Sequence, residues 1–176
     1  MKQITYSLES RDDCLKLCRE IGNDADFLKA SCVYAQVYVH PKGVVWLNDF
    51  LFALRDSIPN IVIAGETSYE HIVNGKRNIE MATASFMLFD DSTAELFEYD
   101  MDTYDEKNVA HELSAKINDM DDAVAVQFFS NILDVDFLEF FDSFNIRNRD
   151  VVFFGAGAGV GVGELIMNES RVVSES

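Results

Sequence analysis

Apolar residues recur with two different periods along the chain, and the period changes from one segment to the next. Every second residue of 3–8 is apolar, which predicts a half-buried strand, and the β-branched and aromatic residues of 31–39 predict a central strand. Between them a helical period begins after the N-cap residue Ser10 and ends at Gly22. A second helical period covers residues 45–57. We therefore predict the order strand, helix, strand, helix for this part of the chain.

A short apolar run at residues 61–64 completes a strand-helix-strand unit with residues 31–39. Because such crossovers are right-handed and join parallel strands, these two strands should lie side by side in parallel. Two alternating runs at 82–89 and 93–100 predict an antiparallel hairpin. We expect the α/β class, with α+β as the alternative: a mixed sheet, helices packed on its faces, a parallel core and an antiparallel hairpin.

The second half of the chain also contains segments with helical and strand patterns, and these segments are shorter. Helical spacing at 109–117 is followed by a predicted strand at 123–129 and a predicted helix at 135–144. The apolar run 151–154 then leads directly into the glycine-rich strip 155–163. No internal repeat or linker is visible unless the acidic stretch at 100–106 is a hinge, and we predict a single domain over residues 1–176.

Composition limits the classes of partner. Acidic residues number 31 against 14 basic ones, giving a net charge of −17, which disfavours nucleic acid and anionic membrane surfaces as partners. Hydrophobic residues make up 48% of the chain, as in a folded globular protein rather than a disordered acidic tail. No apolar run approaches a membrane span, and the first residues lack the apolar block of a signal peptide. We therefore expect a cytoplasmic protein.

The three cysteines predict reduced thiols in the core. Cys14, Cys18 and Cys32 are odd in number and contain no Cys-x-x-Cys motif. The alternative is a metal site that combines Cys14 and Cys18, one helical turn apart, with a histidine. Zinc needs about four ligands, so no metal site is predicted.

The residues that follow the 61–64 strand form the main candidate site. Gly65 is expected to end the strand, and ligands of open α/β sheets bind where strands end. A carboxylate, hydroxyls and backbone amides would meet there, the mixture that holds the ammonium and carboxylate of an amino acid. The alternative is a turn whose hydroxyls bond their own backbone. The predicted ligand-binding residues of this segment are Gly65, Glu66, Thr67, Ser68, Tyr69 and His71.

The glycine-rich strip supplies the second group of candidates, namely Gly155, Ala156 and Gly157. Glycine alternating with alanine lets a ligand or another backbone approach closely. The strip lacks the Gly-Lys-Ser/Thr of a phosphate loop and the spacing of a dinucleotide fingerprint, which argues against a nucleotide site. Tight packing or a bulged strand is the structural alternative.

Several of these motifs together resemble the amino-terminal half of the FIST sensory domain. They are the run Ile58 to Ser68, the Asn-Gly turn at 74–75, the Ser85-Phe86 strand and the glycine signature at 153–159. The resemblance covers about residues 30–165. Two positions depart from the family: Tyr69-Glu70-His71 replaces a small-residue Ala-Gly-Glu, and Val160 replaces an aspartate. Because the family domain continues into a second half, the chain is expected to be a truncated portion of a longer protein or a short member.

The resemblance implies an intracellular input module of signal transduction. Such modules are expected to bind small ligands such as amino acids and to pass the signal to histidine kinases, diguanylate cyclases or chemoreceptors. Some similar modules hold haem and respond to nitric oxide. A haem would need one axial imidazole, for which His40, His71 and His111 are the candidates.

Catalysis is the less favoured hypothesis, and no catalytic residue is predicted. No Ser-His-Asp order or paired-carboxylate motif stands out. The enzymatic alternative is a transferase or hydrolase that uses Glu66 and Thr67 in the Gly65–Ser68 turn. A third alternative is an interaction module, because Phe137, Phe140, Phe141 and Phe144 occupy nearly every side of one short helix. They predict either burial from both sides or a homodimer face.

Overall fold

A computed structural model describes most of the chain, in two compact units formed by residues 1–96 with 161–176 and by residues 97–160. The described residues are 1–73, 75–78, 81–101, 103–131, 135–147, 150–158, 165–167 and 172–174. At 71, 78, 131, 156–158, 165–167 and 172–174 the backbone alone is described. No helix among these residues is long and apolar enough to cross a membrane.

The first unit contains most of the helices and strands. In chain order its elements are β1 (Lys2–Leu8), α1 (Arg11–Ile21), α2 (Ala25–Lys29), β2 (Cys32–Val39), a 3-10 turn (Pro41–Gly43), α3 (Val44–Ser57), β3 (Ile61–Thr67), β4 (His71–Val73), β5 (Lys76–Asn78) and β6 (Ala82–Phe89). The second unit contributes α4 (Glu106–Asn118), β7 (Ala125–Asn131), α5 (Phe137–Ser143) and β8 (Val152–Ala158). Two further strands of the first unit follow, β9 (Leu165–Met167) and β10 (Val172–Ser174).

A six-stranded mixed sheet organises the first unit, in the order β1-β6-β2-β3-β9-β10. β2 and β3 run in parallel, with Val33 opposite Ile61, and α3 forms the crossover between them. β6 is antiparallel to both of its neighbours, β1 and β2. The predicted α/β class, mixed sheet and parallel core are therefore confirmed.

Helix α1 begins where the sequence predicts. The Ser10 hydroxyl accepts a hydrogen bond of 3.2 Å from the backbone N–H of Asp13, which satisfies one of the free amides of the first turn. Its buried side chains include Cys14 and Cys18, and Cys32 is buried at the start of β2. All three thiols are free, and burial raises the pKa of Cys14 and of Cys18 to about 12. The prediction of reduced core thiols is confirmed.

The core of the first unit lies on one face of the large sheet, between that face and the helices. Alternate residues of β2, beginning with Val33, Ala35 and Val37, are fully buried there. Leu47 and Leu54 of α3 pack in the same cluster, together with side chains from α1. We call this side of the sheet the core face.

The predicted hairpin between 82–89 and 93–100 is wrong in its second half. Residues 93–100 form no strand, whereas 82–89 form β6 as predicted. The reason is that β1 pairs with one edge of β6, with Thr5 opposite Ser85, and β2 pairs with the other edge. A strand with partners on both edges has no hydrogen-bonding edge left for the segment that follows it. The first unit does contain a small antiparallel pair, β4 and β5, joined through Gly75 with φ of 73°.

The second unit combines α4 and α5 with β7 and β8, which pair in parallel. Its strand and second helix lie close to the predicted 123–129 and 135–144 segments. The phenylalanines of α5 pack mainly through their rings: Phe137 and Phe141 both contact Phe128 of β7, and Phe144 contacts Phe153 of β8. Phe141 is nevertheless exposed, so the homodimer face stays a prediction.

Candidate functional site

The side of the six-stranded sheet opposite the core face carries mostly polar side chains. Because side chains alternate along a strand, the residues that lie between the core residues of each strand point to this side. Glu66 of β3, Tyr38 of β2 and Thr83 of β6 form one row across three strands, and Gln36 and Ser85 form the next row. We call this surface the polar face; its strand residues in β1, β2, β3 and β6 are Gln3, Thr5, Ser7, Cys32, Tyr34, Gln36, Tyr38, Val62, Ala64, Glu66, Thr83, Ser85, Met87 and Phe89.

Most polar groups on this face have partners. The Ser85 hydroxyl receives a hydrogen bond of 3.0 Å from Nε2 of Gln3 and lies 3.0 Å from the Thr5 hydroxyl. A side-chain hydrogen bond joins Tyr34 and Gln36, although burial still raises the pKa of Tyr34 above its ordinary value. The β1 edge of the polar face therefore behaves as an ordinary, hydrogen-bonded sheet surface.

Glu66 differs from the rest of the polar face. The residue is only 6% exposed, and its Oε2 is buried without a hydrogen-bond partner among the described residues. Burial raises the pKa of this carboxyl to about 7. Buried polar side chains in proteins are nearly always hydrogen-bonded, so an unpartnered carboxylate oxygen marks a position that the fold itself does not satisfy.

Tyr38 is the neighbour of Glu66 in the parallel ladder. Its pKa is raised, first by burial and then by the charge of Glu66. Thr83, on the other side of Tyr38, is 5% exposed. A carboxylate, a phenol and a hydroxyl thus lie side by side in a water-poor setting, an arrangement suited to binding a hydrogen-bond donor.

The strand that carries the first candidate segment is longer than predicted. β3 continues through Gly65 to Thr67, so the expectation that Gly65 ends the strand is wrong. Glycine is required here for another reason: a Cβ at Gly65 would lie 1.8 Å from the carbonyl oxygen of Val37. Because the strand continues, its residues alternate, and the side of Gly65 and Thr67 is the side opposite Glu66. The segment therefore does not gather its side chains at one opening.

The residues beyond β3 form a self-bonded turn. The Ser68 N–H donates to the carbonyl of Val39 at 2.9 Å, and the Ser68 hydroxyl donates to the carbonyl of Glu70 at 2.7 Å. Ser68 thus follows the alternative in which a hydroxyl bonds its own backbone. Tyr69 is half exposed and its ring meets the ring of His40 edge to face at 5.6 Å. His71 begins β4, and its side chain lies outside the described residues.

The second candidate group belongs to the second unit. Gly155, Ala156 and Gly157 lie in β8, paired with β7. A Cβ at Gly155 would lie 2.2 Å from the carbonyl oxygen of Phe128, so this glycine permits a close backbone approach within the strand pair. Residues 159–163 of the strip lie outside the described residues. Ligand binding by this strip stays a prediction.

A cavity of about 290 Å³ in the second unit is lined in part by His111 and Arg147. The side chain of Asn118 spans it, donating to the carbonyl of Asn145 at 3.0 Å and accepting from the N–H of Arg147 at 2.7 Å. The Ser114 hydroxyl also receives the N–H of Asn145. These polar groups tie the segment after α5 to α4, which is a structural role.

Sequence reasoning missed the neighbours of Glu66. Tyr38, Thr83 and Gln36 are predicted as strand residues but not as site residues, because they lie beside Glu66 across the sheet and not beside it in the chain. The available signal was the alternation Tyr34, Gln36, Tyr38 inside a strand predicted to be central. Polar residues at every second position of a central strand indicate that one face of the sheet is not a plain apolar core.

Comparison with known proteins adds no assignment to this geometry. No family model matches the chain, and no significant match was found among curated proteins or solved structures. The resemblance to the FIST domain therefore remains one of motifs, at residues 58–68 and 153–159. The candidate site is the row formed by Glu66, Tyr38 and Thr83.

Proposed function

We propose that this chain is a sensory module that binds a small molecule on the polar face, with Glu66 as the principal contact. The observation that carries the proposal is the buried Oε2 of Glu66 without a partner among the described residues. A ligand that donates a hydrogen bond or an ammonium group to this oxygen would remove the cost of leaving it unsatisfied.

A purely structural role explains Glu66 poorly. Burial raises the pKa of Glu66, so the ionised carboxylate lowers the stability of the folded state. An amide or apolar side chain at this position would avoid this loss of stability. Position 64 of the same strand and the same face carries such a residue, the buried Ala64. A strained or unsatisfied group that the fold could dispense with points to binding.

A binding role is also favoured over a catalytic one. The Ser68 hydroxyl is engaged by the backbone of Glu70, and Thr67 is 3% exposed on the side opposite Glu66. Neither hydroxyl is therefore placed for attack on a substrate beside Glu66. The proposal is accordingly a non-enzymatic protein, and haem enters it only as the alternative ligand that the FIST resemblance implies.

The signalling part of the proposal combines the fold with the motif resemblance. β3 leads within a few residues into the small β4 and β5 pair, so a change at Glu66 lies close in the chain to an exposed hairpin at Ile72. The FIST resemblance supports a cytoplasmic setting and a downstream kinase, cyclase or chemotaxis domain as the receiver of the signal.

Thermal denaturation in the presence of a ligand panel tests the proposal. A ligand that binds only the native state raises the melting temperature by mass action. Amino acids, amines, dipeptides and haem form the panel, and at least one is expected to stabilise the wild type but not Glu66→Gln. Glu70→Gln is the matched control, because it removes an exposed carboxylate four residues away. Equal stabilisation of Glu66→Gln, or no stabilisation by any compound, would contradict the proposal.

A further inference from the structure

We infer that the polar face selects an organic cation, a compound with a primary amine and no carboxylate, rather than a zwitterionic amino acid. This inference rests on the proposed function and narrows its ligand to one chemical class. The charges and hydrogen-bonding groups that the sheet register places around Glu66 support it.

Among its described strand residues, the polar face carries a single charged side chain. Among the described strand residues of β1, β2, β3 and β6 on this face, Glu66 is the one charged group, and the others are hydroxyl, amide, phenol, thiol and apolar side chains. No lysine, arginine or histidine of these strands faces the same side. A ligand carboxylate placed beside Glu66 would meet a like charge in a water-poor setting, with no cation from these four strands to offset the repulsion.

Backbone amides do not replace the missing cation. The amino-acid hypothesis needs free N–H groups near Gly65 and Ser68. Gly65 and Glu66 lie between β2 on one side and β9 on the other, so their backbone groups belong to the ladder of the sheet. The N–H of Ser68 is bonded to the carbonyl of Val39. The backbone N–H groups that would bind a ligand carboxylate are therefore already bonded within the sheet and the turn.

An ammonium group matches what remains. It has donors and no acceptor, whereas Oε2 of Glu66 is an acceptor without a donor among the described residues. Tyr38, the next residue in the row, has an aromatic ring, whose face favours a cation. Ala64 precedes Glu66 on the same face, and its side chain is a single methyl group. The net charge of −17 further attracts cations to the molecule.

Pairs of compounds that differ by one carboxylate test the inference. The four pairs are histamine with histidine, agmatine with arginine, cadaverine with lysine, and phenethylamine with phenylalanine. Calorimetric titration at about pH 8, where Glu66 is ionised and the amines are largely protonated, measures each affinity. We expect at least one amine to bind at least about tenfold more tightly than its amino acid. For histamine, phenethylamine and cadaverine, acetylation of every primary amine removes the ammonium charge, and the acetylated compound should not bind.

Variants separate the site from non-specific attraction of cations. Glu66→Gln should weaken binding of that amine by at least about tenfold, whereas Glu70→Gln should leave it unchanged. Tyr38→Phe provides a second variant that keeps the ring and removes the phenol oxygen, and it should still bind the amine; a loss of binding as large as that of Glu66→Gln would contradict the inference.

The outcomes distinguish the inference from the function on which it rests. Equal or tighter binding of the amino acid in every binding pair would overturn the inference and leave the sensory function standing. Binding of the fully acetylated derivative of histamine, phenethylamine or cadaverine would overturn it as well, independently of how the variants fold. No binding by any of the eight compounds would overturn the inference, and only a ligand from the wider panel would then support the function.

Discussion

The two faces of the six-stranded sheet are built from alternate residues of the same strands, yet they are satisfied in different ways. On the core face, Val37 and Phe86 are fully buried among apolar side chains of the helices. On the polar face, Ser85 has its hydrogen bonds, whereas Glu66 is buried with one oxygen unpartnered among the described residues. The described side chains of the core face are buried together without a ligand, whereas the polar face leaves one buried oxygen without a hydrogen-bond partner among the described residues. The difference supports the proposal that one face serves stability and the other binding.

The largest effect is expected on the core face. Phe86 is fully buried and its ring contacts the rings of Tyr6 and Phe27 edge to face. Phe86→Ala leaves a cavity and should lower the free energy of unfolding by about 3–5 kcal/mol. Urea denaturation followed by the fluorescence of Trp46, which is buried in the same cluster, measures the change. A loss as small as that of a surface substitution would show that this face is not the core.

A change of opposite sign is expected at Glu66. Its pKa of about 7 lies above the ordinary 4.5, so folding takes up a proton between these pH values and the cost of the buried charge is complete above pH 7. Glu66→Gln should therefore stabilise the protein at about pH 8 by roughly 3 kcal/mol and change little at about pH 4.5. Tyr38, the described titratable neighbour, stays neutral throughout this range because its pKa is raised.

Urea denaturation of both proteins across this pH range measures the prediction. The wild type should lose stability as the pH rises from 4.5 to 7, and Glu66→Gln should lose less. Glu70→Gln, on an exposed residue, should follow the wild type. Parallel curves for wild type and Glu66→Gln would mean that the carboxyl titrates as an exposed group does.

The smallest effect is expected at Ser85, which is adjacent in sequence to Phe86 but belongs to the polar face. Ser85→Ala removes the hydroxyl that bonds Gln3 and Thr5, and both of these partners are at the β1 edge. The expected loss is about 1 kcal/mol, measured by the same urea titration. A loss equal to that of Phe86→Ala would erase the distinction between the two faces.

Most of the core face could be predicted from the sequence because its signals are local. The helical period after Ser10 and the apolar alternation in β2 each appear within a short window. The pairing of 93–100 with β6 was wrong because β1, more than 70 residues earlier, occupies that edge. Competition between distant strands for one edge leaves no local trace in the chain.

Only part of the candidate site could be predicted, because contacts between distant strands are not visible in the local sequence. Glu66 was identified because it follows an apolar strand, but its relation to Gly65 was mistaken, since a glycine that permits close approach of Val37 looks locally like a glycine that ends a strand. Tyr38 and Thr83 join Glu66 only through the register across three strands. Register depends on the whole sheet, so this part of the site required the structure.

The central claim is that the Glu66 carboxyl is a buried acceptor reserved for a ligand. Carbon-detected NMR of the side-chain carboxyl groups, with Glu66→Gln to assign the signal, measures its pKa directly. The account predicts a pKa of about 7 in the free protein, falling clearly when a saturating amine from the four pairs is present, because a cation favours the ionised form. A pKa near the ordinary value of 4.5, unchanged by every amine, would contradict it.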